Sequence, residues 1–152
     1  MTLTPRLVAA TLALVALVFA ARPDAQTAKN FRGRLSPVPL TTSQFATIAG
    51  IGSATATLSG AKLAITGTFE GLRSPATTAQ VHRAPRGLRG PVVFELTVTK
   101  SGDGTSGTIG GTFDLTPAQV TDLEKGWLYV QLQSEKAPEG NLWGWLLLQE
   151  KK

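Results

Sequence analysis

The chain has 152 residues, with 15 Lys and Arg against 10 Asp and Glu for a net charge of +5, and no cysteine. The missing cysteines exclude a disulfide framework and a lipid-modified thiol. The modest charge, with no dense basic stripe, argues against a nucleic-acid partner.

Taken in order, the chain opens with a targeting segment. Met1 to Arg6 carries one positive charge, and an apolar run follows from Leu7 to Ala21. A spanning helix needs about 20 apolar residues, so this run fits the h-region of a secretory signal peptide. Residues 1–25 are assigned to it, with cleavage between about Ala20 and Ala25; an uncleaved anchor is the alternative. The mature chain is then periplasmic or secreted, with no transmembrane segment after signal cleavage. It retains about 125 residues, enough for one domain with its own core. Without Arg6, Arg22 and Asp24 its charge falls to about +4.

Residues 26–29 read as a flexible leader and 30–150 as the folded domain. Short alternating runs separated by Gly, Pro and Ser clusters point to an all-β fold. Asn30 to Leu35 is a first, edge-like strand ended by Pro37 and Pro39, which cannot donate ladder hydrogen bonds. Thr41 to Gly52 is mostly loop. Ser53 to Leu58 and Lys62 to Leu72 make a hairpin around Ser59-Gly60. Strands follow at Thr78 to Arg83, Pro91 to Thr99 and Thr108 to Leu115.

One helix is expected. Thr116-Pro117-Ala118-Gln119 offers a capping box with Pro at N1, and Gly126 supplies the C-terminal stop. Val120 and Leu123 would point inward. Trp127 to Ser134 and Asn141 to Gln149 are the last strands, joined by a Glu135 to Gly140 loop. The expected architecture is an antiparallel, Greek-key-like β-sandwich with one short helix.

Several linked segments carry a resemblance. They are Gly71-Leu72 leading to Ala79 and Val81-His82, Gly87 to Val93, Leu115-Thr116-Pro117, Gly126 to Val130, and Pro138 to Leu146. In this order they resemble the CHRD (chordin-type) domain, a β-rich extracellular module, over about Phe31 to Leu147. The departures fall on polar positions. The family pattern has His-x-His where this chain has Gln80-Val81-His82, and Tyr-Val-Asn-Val-His-Thr where it has Tyr129 to Ser134. It has Gly-Glu-Ile-Arg-Gly where this chain reads Gly140-Asn141-Leu142-Trp143-Gly144.

Strand parity puts these variable positions on the non-core side. Leu128, Val130 and Leu132 face the core, and Tyr129, Gln131 and Gln133 oppose them. If their strands are neighbours, Gln80, His82, Tyr129, Gln131, Gln133, Asn141, Trp143 and Trp145 form one amide-and-indole face. Flat indoles beside oriented amides suit a glycan or a protein partner. The competing reading is that the tryptophans are covered by another layer or by a second copy of the chain, which leaves a homodimer open. Arg83, Arg86 and Arg89 form a second candidate, an anion-binding loop, against the plainer reading of a solvated basic loop.

No catalytic, metal or cofactor residue is assigned. One histidine and no cysteine make a poor transition-metal site, because amides are weak ligands for zinc or copper. No nucleophile elbow or carboxylate pair is recognisable. The expected function is a non-catalytic binding module. The alternative is a metal-binding or redox-related extracytoplasmic protein with a degenerate histidine site.

Overall fold

The computed structural model describes residues 27–150. The signal-peptide assignment lies outside the described residues. Among the described residues nine strands and one α-helix run in the order β1 (Lys29–Pro37), β2 (Ile51–Ser59), β3 (Lys62–Glu70), β4 (Ala76–Arg83), β5 (Val92–Ser101), β6 (Ser106–Asp114), α1 (Pro117–Glu124), β7 (Leu128–Ser134), β8 (Ala137–Trp145) and β9 (Leu147–Leu148), with a single 3-10 turn at Thr42–Gln44 between β1 and β2. Among the described residues, no helix is long and apolar enough to cross a membrane.

The all-β class and the single short helix are as expected, but the sandwich is replaced by a closed antiparallel barrel. Eight strands form the ring β1-β2-β3-β6-β5-β4-β7-β8, which returns to β1, and β9 adds a short pairing to β1. Closure depends on strands that serve both walls. The first part of β1 pairs with β2 from Lys29 to Leu35, whereas Ser36 and Pro37 pair with Trp143 and Leu142 of β8. Likewise β5 pairs with β4 through Val92 to Leu96 and with β6 through Thr97 to Ser101. A strand that changes partner along its length turns a corner between walls. The sequence pattern marks β1 as an edge, but both of its edges are paired. The spatial run β3-β6-β5-β4 is a Greek key.

Alternation fills the barrel. Ala54, Ala56 and Leu58 of β2 interdigitate with Leu63, Ile65 and Phe69 of β3, all at most 4% exposed. Across the ring lie Ala79 and Val81 of β4, Leu128, Val130 and Leu132 of β7, and Leu142 of β8. Each fully buried large aliphatic side chain contributes on the order of 1.5–3 kcal/mol from removal of apolar surface from water.

Helix α1 carries the chain from β6 over to β7. Its capping box forms as read: Gln119 N–H donates to Thr116 Oγ1 at 3.3 Å, and Thr116 N–H donates to Gln119 Oε1 at 2.9 Å. Gly126, at φ 70°, closes the other end, with Gly126 N–H donating to Leu123 O and Trp127 N–H to Asp122 O. Leu123 is fully buried in the core and Val120 packs against it in part.

Two boundaries differ from the sequence reading. The loop expected over Glu135 to Gly140 is only a tight turn, because β8 starts at Ala137, and the extra residues are absorbed in a bulge opposite Leu132 to Ser134. The last strand is interrupted at Leu146, which points into the core while Leu147 and Leu148 go on to pair with β1. Unbroken alternation from Leu142 would put Leu148 on the core side; after this break it is 47% exposed.

Candidate functional site

The order β4-β7-β8 makes the three strands of the candidate face neighbours. Register places Gln80 opposite Gln131, His82 opposite Tyr129, Gln131 opposite Trp143, and Tyr129 opposite Trp145. The parity reading therefore brings the selected residues onto one wall. That wall is largely covered: Tyr129 is 1% exposed, Gln131 4%, His82 and Gln133 7%, and Trp143 9%. All seven residues of β7 are buried, so the strand has apolar core on one side and this layer on the other.

Two loops form the cover. Val38 and Ile48 come from the β1–β2 connection, and Ala84 from the β4–β5 connection; they pack with Tyr129, Ala137, Trp143 and Trp145 in a second cluster outside the barrel. The covering layer expected from another sheet or chain is thus supplied by local loops. Gly90 makes this possible for the β4–β5 loop, because a Cβ there would lie 1.8 Å from Arg83 O. With no side chain, the loop returns close enough for Gly90 N–H to donate to the Tyr129 hydroxyl at 3.1 Å and for Gly90 O to meet His82 Nδ1 at 2.9 Å.

The wall has an aromatic half and an amide half. In the aromatic half, His82 stacks on Tyr129 at 5.0 Å between ring centroids, and Tyr129, Trp143 and Trp145 lie 4.7 to 5.9 Å apart in edge and tilted contacts. Trp145 is half-buried, and its Nε1–H donates to Ala84 O at 3.0 Å. A carbonyl can only accept, so His82 Nδ1 carries a proton and donates to Gly90 O. Its Nε2 is buried without a protein partner among the described residues.

In the amide half, Thr78 Oγ1 donates to Gln133 Oε1, Gln133 Nε2 to Gln80 Oε1, and Gln80 Nε2 to Glu95 Oε1, at 2.7 to 3.0 Å. These bonds run from buried Gln133 through half-buried Gln80 out to exposed Thr78 and Glu95, so the buried amide does not forfeit its hydrogen bonds on leaving water. Asn141 is separate from this chain of bonds. It is fully buried at the β8 bulge, where its Nδ2 donates to Ser134 Oγ at 3.0 Å.

The three arginines of the candidate anion loop lie in three different surroundings. Arg83 forks onto Asp122 of α1 at 2.5 and 3.1 Å and lies over Trp127. The Asp122 carboxylate, first through its hydrogen bonds and then through its charge, holds the Arg83 guanidinium above its ordinary pKa. Arg89 donates to Glu139 O at 2.9 Å, approaches Gln131 Oε1 at 3.4 Å, and stacks over Trp143 at 5.6 Å. Arg86 instead reaches a groove of about 250 Å³ with Arg32, Arg34, Trp143, Gly144 and Trp145 in its lining. Arg32 and Arg34 were not among the residues selected from sequence. Their i, i+2 spacing in an outward-facing strand was a legible signal, but their meeting with Arg86 depends on β1 closing against β8.

Among the described residues, no three His, Asp or Glu side chains come together as a metal-ion cluster.

Fold and site together define a small closed β-barrel that carries a roofed aromatic wall and, at the rim of that wall, an arginine-lined groove. The chain belongs to the CHRD domain family, whose model matches residues 31–146. No curated protein and no solved structure matches the chain.

Proposed function

We propose that this CHRD domain is an exported, non-catalytic binding module that contacts a glycan or protein partner outside the cytoplasm. The observation that carries the reading is Trp145, half-buried at the rim of the aromatic wall and lining an open groove. The rest of the wall is committed to packing and internal hydrogen bonds, so contact falls to this rim rather than to the whole face read from sequence. An indole held by its Nε1–H on Ala84 O presents a fixed apolar plate, which lowers the entropy cost of docking a sugar ring or an apolar side chain.

The test is a calorimetric titration of the mature protein with a panel of neutral and acidic oligosaccharides, beside a Trp145→Ala variant checked for folding. Saturable binding without turnover, weakened by about tenfold or more in the variant, supports the module. Conversion of a bound glycan to product would replace this reading with an enzymatic one. Stoichiometric zinc or copper in the purified protein, lost in His82→Ala, would favour the metal-binding alternative. N-terminal sequencing of protein from periplasm and medium checks export, and sedimentation checks whether two copies associate.

A further inference from the structure

Three guanidinium groups converge on one short stretch of the barrel surface. Arg32 and Arg34 lie two residues apart on β1, a separation of about 7 Å along the strand. Arg86 comes from the β4–β5 loop, and all three line the groove that ends at Trp145. All three are exposed, and none makes an ion pair or a side-chain hydrogen bond among the described residues. Arg83 and Arg89, by contrast, are already engaged, with the Asp122 carboxylate and the Glu139 carbonyl. The floor of the groove is kept low by Gly144, where a Cβ would lie 2.2 Å from Arg34 O.

We infer that this groove binds an acidic polysaccharide, with Arg32, Arg34 and Arg86 gripping carboxylate or sulfate groups and Trp145 stacking on a sugar ring. The inference rests on the binding-module reading and names its ligand. Guanidinium forks match carboxylate and sulfate oxygens in pairs. The indole adds the apolar plate that a simple anion site lacks. The same arginine pair also borders a second depression of about 460 Å³ with Gly52, Ser53 and Gln149 in its lining. The two arginines of β1 therefore stand between adjoining depressions, which suits an extended chain better than a single small anion.

The experiment titrates the mature protein, at fixed ionic strength, with polygalacturonate, dextran sulfate, neutral dextran and polyglutamate, following heat and indole fluorescence. Saturable binding of one acidic glycan is expected, with a change in tryptophan emission and no binding of neutral dextran. The tighter of the two acidic polymers identifies the carboxylate or the sulfate source. The R32Q/R34Q/R86Q variant, which removes no ion pair or side-chain hydrogen bond of the described residues, should lose about 100-fold in affinity. The charge-matched R73Q/K100Q/K136Q variant, which touches no part of the groove, should stay within about threefold. Equal loss in both variants, equal affinity for polyglutamate, or no binding of either acidic glycan would overturn the inference. If a neutral oligosaccharide then binds in a Trp145-dependent way, the module reading stands alone; if nothing binds at Trp145, both fall.

Discussion

Tyr129 links the core strand β7 to the loop that roofs the wall. Its ring is stacked by His82, met edge-on by Trp143 and packed at a tilt on Trp145, while its hydroxyl accepts from Gly90 N–H. Tyr129→Phe keeps the ring packing and removes only that acceptor. We expect a loss of about 1 kcal/mol, the usual net value of one such bond. Urea denaturation should show it, and faster amide exchange should be confined to the Ala84 to Pro91 loop. Exchange that quickens throughout the barrel instead would show that the hydroxyl supports more than the loop. At this scale the sequence was informative about which residues share a face. Side-chain direction follows from two-residue periodicity, and Gln80, His82, Tyr129, Gln131, Trp143 and Trp145 meet as that rule requires. It was uninformative about exposure, which depends on loops with no periodic signal.

At the scale of elements, the turns differ in what holds them. The β5–β6 turn is stapled by Asp103, whose carboxylate accepts from Thr105 Oγ1–H at 2.6 Å and Thr105 N–H at 3.0 Å. These bonds, the hydroxyl first, hold Asp103 below the usual carboxylate pKa. A depressed carboxylate stabilises the folded state above its unfolded pKa, and that contribution is lost as pH falls through the lower, folded value. We therefore expect the turn to stay intact at neutral pH and to loosen only in strong acid, below the ordinary carboxylate range. Protection of the Thr105 amide relative to its intrinsic exchange, followed against pH and compared with Asp103→Ala, reads this out; protection that is unchanged in strong acid would refute it. Helix α1 was legible almost to the residue, since its stop and start signals are local chemistry. The β7–β8 turn was misread because Pro138 and Gly140 look like a loop. The structure instead takes them into a bulged strand, with Gly140 at φ 131°.

For the whole molecule, β1 is the closing element. It pairs with β2 along most of its length, meets β8 at Ser36 and Pro37, and receives β9 at Phe31 and Arg32. It also sends fully buried Phe31 and Leu35 into the core. A chain lacking residues 27–37 would expose the edges of both β2 and β8 and leave a cavity between them. We expect such a deletion to abolish the cooperative melt followed by near-ultraviolet circular dichroism, whereas the intact domain unfolds in one transition. A truncated chain that still melts cooperatively would mean that the remaining strands reseal without β1.

The sequence by itself determined the β class, the position of nearly every strand, the capped helix, the family and the parity of the site residues. All of these depend on interactions within a few residues along the chain. Tertiary structure decided that the sheet closes, that the aromatic wall is roofed, and that Arg86 leaves its sequence neighbours to join Arg32 and Arg34. Each of those outcomes turns on which distant strand β1 and the β4–β5 loop meet, and that choice is made by packing of the assembled core rather than by local preference.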